Sequence, residues 1–336
     1  SLMLERKDFS TNASCGNNVI TLCPDTTHQT MDGFGYAITY STCYNLLKMK
    51  ARDRHRFLVR TFSPTKGLGV SYIRTSIGCS DFSSTEYSLC DSPGLENFAL
   101  HDDETHYVIP IIKEILDINP NVKVIAAPWT CPKWMKVKDL RTLEKHDSWT
   151  SGHLNPNMRS TYAQYFVKFV QAFAQQGIHI HAVTPQNEPL NQGNCASLFM
   201  PWDEQAEFIP HLAAAFKKAG LTTKIYCFDH NWNYDNMREQ KEYPVRIFNA
   251  LTNEYEGSEL VVGSAWHDYG GEASELDHIN SLLPDKEVIF TEASIGTWND
   301  GRNLQKRLLT DMNRLVYNTV TRQCRAVMVW NLMLDL

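Results

Sequence analysis

No apolar run in these 336 residues approaches the ~20 that a membrane-spanning helix needs. Basic residues are not in surplus: 32 Lys and Arg stand against 38 Asp and Glu, for a net charge of −6. Nothing in that balance neutralises a run of phosphates, so nucleic acid is excluded as the main partner. The Gly-x-Gly-x-x-Gly phosphate turn is missing, and Gly33-Phe34-Gly35 lies inside a strand-like run. None of the nine cysteines has the Cys-x-x-Cys spacing of a zinc knuckle or redox pair. Their number is odd, which leaves at least one unpaired within the chain. Cys227 and Cys324 sit in apolar runs, where a small buried thiol is the simplest role. The stretch Ser1-Leu2-Met3-Leu4-Glu5-Arg6-Lys7 lacks the pattern of a signal peptide.

What is present is a repeat of apolar strands and helical stretches. Strand-like runs end near Thr39, Gly78, Trp129, Glu188, His230, Tyr269, Glu292 and Leu334, with helical patterns between most of them. The helices are expected over 44–61, 106–118, 159–176, 202–219, 243–251, 272–283 and 304–321, with Gly177 and Gly220 as stops. Continuous apolar strands alternating with helices indicate a parallel sheet buried on both faces. Eight such units close into an α/β fold, the (β/α)₈ TIM barrel, over residues 30–336. Residues 1–29 form an extended lead-in with a short strand, Val19–Cys23.

Barrel active sites lie at the C-terminal ends of the strands. Those ends carry Arg74 and Asp81 (second), Trp129 (third), Asn187 and Glu188 (fourth), and Asp229 and His230 (fifth). His267 and Tyr269 follow on the sixth, Glu292 on the seventh and Trp330 on the eighth. Glu188 sits in Gln186-Asn187-Glu188-Pro189, where Pro189 is expected to stop the strand. Two carboxyl groups facing each other across a barrel mouth at ~5 Å suit a retaining glycosidase. One protonates the leaving oxygen, which asks for a raised pKa, and the other attacks as a carboxylate, which Arg74 favours. Tryptophan rings suit the C–H faces of sugars. Taken singly, each residue has a plainer role: a strand-end glutamate in an ion pair, a tryptophan in the core, a structural histidine. A metal-hydrolase alternative draws on Asp229, His230, His267 and Asp268 and is the weaker reading.

Gln186-Asn187-Glu188-Pro189 and Thr291-Glu292-Ala293-Ser294 resemble glycoside hydrolase family 30, which includes lysosomal glucosylceramidase. Asp32-Gly33-Phe34-Gly35, Ile73-Arg74, Ser80-Asp81-Phe82-Ser83, Ala127-Pro128-Trp129-Thr130, His267-Asp268-Tyr269 and Trp330-Asn331-Leu332 agree in the same order. The resemblance implies Glu188 as acid/base and Glu292 as nucleophile. It implies sugar contacts from Asp81, Trp129, Asn187, His230, Tyr269 and Trp330, with Arg74 and His267 in support. It implies no metal or cofactor, a β-glucan or β-glucoside as partner, and a secreted, periplasmic or cell-surface location. It also implies a side β-sandwich to which Val19–Cys23 belongs, with exposed apolar surface where the C-terminal part of that sandwich is absent. The chain departs from the family at Val329, where many relatives have Asp, and at Asp268, where they have an aromatic residue. Asn194-Cys195-Ala196-Ser197-Leu198 and Gly296-Thr297-Trp298-Asn299-Asp300-Gly301 resemble the bacterial branch with endo-β-1,6-glucanases, which makes β-1,6-glucan the expected substrate. Glucosylceramide or another β-glucoside is the alternative. A reading from another class is a carbohydrate-binding barrel without turnover.

Overall fold

The computed structural model describes residues 19–194, 196–251, 254–294 and 304–334. Eight parallel strands close into one barrel. They are β1 (Gly33–Ala37), β2 (Tyr72–Ser76), β3 (Lys123–Ala127), β4 (Ile180–Val183), β5 (Lys224–Asn231), β6 (Val261–His267), β7 (Glu287–Glu292) and β8 (Cys324–Val329). Closure comes from β1, which pairs with both β8 and β2. Gly35 allows that approach, because a Cβ there would lie 1.9 Å from the carbonyl oxygen of Tyr72.

Side chains fill the barrel in layers, as the alternation of inward residues requires. Tyr72, Ile125, Ala182, Tyr226, Ala265, Ile289, Ala326 and Met328 make the interior core. At the N-terminal end of the strands lies an ion cluster. Lys123 Nζ meets Asp32 at 2.5 Å, and Arg325 meets it at 3.4 Å. Glu287 accepts from Lys224 at 2.9 Å and pairs with Arg325 and the Tyr226 hydroxyl.

Helices cover the outside: α1 (Tyr40–Lys48), α2 (Ala51–Phe62), α3 (Ile109–Ile118), α4 (Arg159–Gln175), α5 (Trp202–Lys218), α6 (Tyr243–Ala250), α7 (Glu275–Leu282) and α8 (Leu304–Asp311). In α4 the buried residues Tyr162, Phe166, Phe169 and Phe173 recur at helical spacing. Gly177 (φ +80°) and Gly220 (φ +68°) take the left-handed conformation just past α4 and α5, as expected.

Several expectations are corrected. The stretch 44–61 is two helices. On one straight helix the buried sets Thr42, Cys43, Leu46 and Leu58, Thr61, Phe62 would point roughly 100° apart, so the break lets both face the barrel. Residues 104–108 form a wide π turn ahead of α3, next to Pro110, which has no N–H for the regular ladder. β4 ends at Val183, so Thr184–Glu188 continues past the strand and Pro189 is not what stops it. Val19–Cys23 is not a strand: Val19, Ile20 and Leu22 are exposed and no ladder partner reaches them among the described residues. Residues 1–18 and the segment Gly296–Gly301 lie outside the described residues. Among the described residues no helix follows β8. There Phe34, Val327, Val329, Leu308 and Met312 line an apolar outer groove, with Phe34 44% exposed.

Candidate active site

Along β2, Tyr72 and Arg74 both point inward, which buries the Arg74 guanidinium on the barrel axis. It donates to Glu292 Oε2 at 2.5 Å, to Asn187 Oδ1 at 2.7 Å and to Asp229 Oδ2 at 3.0 Å. Its flat face lies 5.0 Å from the centre of the Trp129 ring and 5.7 Å from that of Trp330. The two indoles sit 5.4 Å apart, and Phe82 meets Trp330 edge-on. The strand-end tryptophans therefore wall one side of the mouth.

Asp229 is the hub beneath. Phe228 and Asp229 have φ of +73° and +71°, and the register of β5 slips between Phe228 and His230. This bulge turns the Asp229 carboxylate to the axis. There it accepts from Thr184 Oγ1 and Thr291 Oγ1, each at 2.6 Å, and faces His267 Nε2 at 3.0 Å. Burial alone would raise its pKa, but the charges of Arg74 and His267 hold it far below the carboxylate range.

Glu188 has φ of +44°, a strained value for a residue with a Cβ. Its N–H donates to the Asp229 carbonyl at 3.0 Å, and Asn187 N donates to the Pro128 carbonyl at 2.8 Å. These two bonds hold the turn where the strand ladder has ended. The carboxylate meets His267 Nδ1 at 3.2 Å and accepts from Asn191 Nδ2 at 2.8 Å. Glu292 accepts from Tyr269 OH at 2.8 Å as well as from Arg74. The closest donor atoms of Glu188, His267 and Glu292 all lie within 4.8 Å of one another.

The electrostatics correct one expectation. Burial would push Glu188 up, but the hydrogen bond from His267 and the charges of His230 and His267 outweigh it and bring its pKa down to about 2. Burial pushes Glu292 above its usual range, against the pull of His267 and Arg74. For His267, burial would lower the pKa, but Glu292 and Asp229 lift it to about 9. The proton expected on Glu188 is thus shared with His267 across the 3.2 Å contact between them. Asp81 is exposed at the rim of the mouth, where partial desolvation of its carboxyl and the charges of Glu292 and Glu188 push it up to about 7.

The structure brings together Arg74, Asp81, Trp129, Asn187, Glu188, His267, Tyr269, Glu292 and Trp330. With its oxygen held by Arg74, Asn187 keeps its NH₂ group for another partner. His230 is buried; its Nδ1 takes the Leu190 N–H at 3.4 Å and its Nε2 lies 3.3 Å from Asp235, with no hydrogen bond made at Nε2 among the described residues. Asp229 and Asn191 are contacts that the sequence reading did not assign. The Asp229-His230 pair at a strand end signalled the first; nothing in the sequence signals the second.

The metal alternative does not assemble from its four residues, because Asp268 turns away to Trp232 Nε1 at 3.0 Å and Arg314 at 2.7 Å. That also accounts for the departure at Asp268. The cluster Glu188, His267 and Glu292 has donor atoms that fit a cation in kind. Each is already engaged by His267, Asn191, Asp229, Arg74 or Tyr269, and Arg74 supplies the positive charge. The single His-x-His spacing, His179-Ile180-His181, enters β4 at the opposite end of the barrel.

A family model described as the glycosyl hydrolase family 30 TIM-barrel domain matches residues 31–332. An endo-1,6-beta-D-glucanase of Trichoderma harzianum, BGN16.3, is 31% identical over 81% of this chain and 56% of its own length. The lysosomal acid glucosylceramidase of Mus musculus is 27% identical over 88% of this chain and 59% of its own. The solved endo-beta1,6-glucanase BT3312 is 58% identical and superposes with a TM-score of 0.90, over 94% of this chain and 68% of that one. The chain thus spans less than two thirds of the length of these curated relatives. On the matched barrel, the chain belongs to glycosyl hydrolase family 30.

Proposed function

We propose that the protein is a retaining β-glycoside hydrolase, with β-1,6-glucan as substrate. The observation that carries this reading is the pair Glu188 and Glu292, with oxygens within 4.8 Å and different partners. That separation suits direct attack by one carboxylate and is shorter than the ~6.5–9.5 Å that an inverting pair keeps for its water. Glu292, fastened to Arg74 and Tyr269, attacks the anomeric carbon. The proton that Glu188 shares with His267 passes to the glycosidic oxygen as the bond breaks. Glu188 then takes a proton from a water whose oxygen attacks the anomeric carbon as the bond to Glu292 breaks, which releases the sugar with its configuration retained. Trp129 and Trp330 receive the apolar face of the sugar, while Asp81 and the Asn187 amide bind its hydroxyls. Arg74 holds Glu292 and the Asn187 oxygen in place, Asp229 holds Arg74 and His267, and no cofactor takes part.

The β-1,6 linkage is supported by the endo-β1,6-glucanase relatives. The second reading, glucosylceramide, is supported by the mouse enzyme at 27% identity. A binding barrel without turnover does not account for two carboxyl groups at this separation. A polymeric substrate also suits a secreted, periplasmic or cell-surface location; no helix among the described residues is long and apolar enough to cross a membrane.

The test is product analysis on pustulan, laminarin, glucosylceramide and an aryl β-glucoside, with the first-formed anomer read by NMR. The reading expects β-1,6-linked oligosaccharides from pustulan and the β-anomer first. Initial α-anomer would overturn retention, faster release from glucosylceramide would favour the second reading, and binding without product would favour the binding barrel.

A further inference from the structure

A lysine outside the proposed chemistry is buried with no carboxylate at ion-pair distance among the described residues, Glu86 acting on it only from farther away. Lys136, 1% exposed, follows the end of β3 in a two-stranded ribbon that pairs Lys136–Val137 with His153–Leu154. Its ammonium donates to three neutral oxygens: Thr130 Oγ1 at 3.0 Å, the Trp149 carbonyl at 3.2 Å and the Ser197 carbonyl at 2.9 Å. An ammonium has three N–H groups, and all three are used. Burying a charge among neutral partners is costly, and that cost depresses the amine, to a pKa of about 8. Such an arrangement persists where several parts of the structure depend on it.

The three oxygens come from three segments. Thr130 directly follows Trp129 at the end of β3. Trp149 belongs to the long loop before α4, and Ser197 to the connection between Glu188 and α5. Further bonds join the last two: Ser197 N donates to the Trp149 carbonyl at 3.0 Å, Ser151 N to Ser197 Oγ at 2.8 Å, and Thr150 Oγ1 to the Asn194 carbonyl at 3.2 Å. The same connection reaches the proton donor through Asn191 Nδ2. A general acid lies beside the oxygen it protonates, so the sugar that departs lies on the Glu188 side of the mouth. The sugar that stays rests on Glu292, Asp81 and the two indoles.

We propose that Lys136 is a positioning residue for the leaving-group side of the site. Its ammonium locks the segments at Trp149 and Ser197 to the end of β3, and that lock sets the surface on which the departing glucosyl unit rests. This rests on the reading of Glu188 as the proton donor.

The experiment compares wild type with Lys136→Met and Thr150→Val on two substrates. One is a β-1,6-linked gluco-oligosaccharide, which fills both sides of the mouth. The other is 2,4-dinitrophenyl β-glucoside, whose departure needs neither proton nor leaving-group contacts. For Lys136→Met, kcat/KM on the oligosaccharide is expected to fall by about 10- to 100-fold while the aryl glucoside changes by less than about 3-fold. Transfer of glucose to added gentiobiose should fall in step with the oligosaccharide. Thr150→Val loses the bond to the Asn194 carbonyl and should show the same split more weakly, by about 3-fold, and it carries the test if Lys136→Met does not fold. Equal losses on both substrates, or no split in Thr150→Val, would overturn the proposal. Wild type inactive on both substrates would instead overturn the glycosidase reading.

Discussion

The two ends of this barrel carry ionisable clusters of opposite character. At the N-terminal end, Asp32 and Glu287 face Lys123, Lys224 and Arg325, so permanent cations outnumber carboxylates. At the C-terminal end, Asp81, Glu188, Asp229 and Glu292 share, among the described residues, one permanent cation, Arg74, and the imidazoles of His267 and His230. A cluster with enough fixed charge needs no protons and serves as structure. A cluster short of cations must hold protons, and groups that must hold protons are equipped to move them. The difference separates a closure from a site on charge balance alone.

The largest expected effect breaks the upper cluster. Glu292→Gln should lose turnover on both glucan and aryl glucoside down to background, in steady-state assays, while circular dichroism stays native. Substantial remaining turnover would remove Glu292 from the nucleophile role.

Glu188→Gln should be selective. Its kcat/KM on β-1,6-glucan should fall by about 10²- to 10⁴-fold, the usual worth of a general acid, and far less on 2,4-dinitrophenyl β-glucoside. Equal losses would mean that Glu188 does not supply the proton.

Glu287→Gln tests the opposite end. Breaking a largely buried ion pair costs about 3 kcal/mol, so denaturant unfolding should shift by that order while kcat/KM is retained. A loss of activity without loss of stability would contradict the division between the two ends.

Smaller effects come from pH. The folded-state pKa of His267, about 9, lies above its ordinary value of 6.5. Its contribution to stability is therefore complete below about pH 6.5 and is lost as pH rises through about 9. Between those limits the Tm of wild type should fall more steeply than that of His267→Gln. Asp81, raised to about 7 from 3.8, works in the other sense, because the folded protein resists its ionisation. Asp81→Asn should raise Tm at pH 8 and leave it unchanged at pH 4, while KM for glucan rises; an unchanged Tm at pH 8 would place Asp81 outside the repulsive cluster.

The barrel order was legible in the sequence because apolar strands and helix stops are local signals, whereas the ion cluster at the lower end, built from residues far apart in the chain, was not. Arg74 and Glu292 were legible as polar ends of apolar strands. Glu188 was legible as chemistry but not as geometry: its strand ends at Val183, and a left-handed turn held by the Asp229 carbonyl brings it to the mouth. Asp229 was seen as a strand-end acid, yet the bulge that aims it at Arg74 and His267 leaves no mark in composition or period. Asn191 and Lys136 act through long loops whose partners are distant in sequence, so no spacing announces them.

The most direct test of the central claim is trapping with 2-deoxy-2-fluoro-β-D-glucosyl fluoride, read by mass spectrometry of the intact chain and of its peptides. The account predicts one added fluoroglucosyl group, carried by Glu292, with turnover lost in step with labelling. A label on Glu188 or Asp81, or unlabelled protein that continues to cleave glucan at full rate, would contradict it.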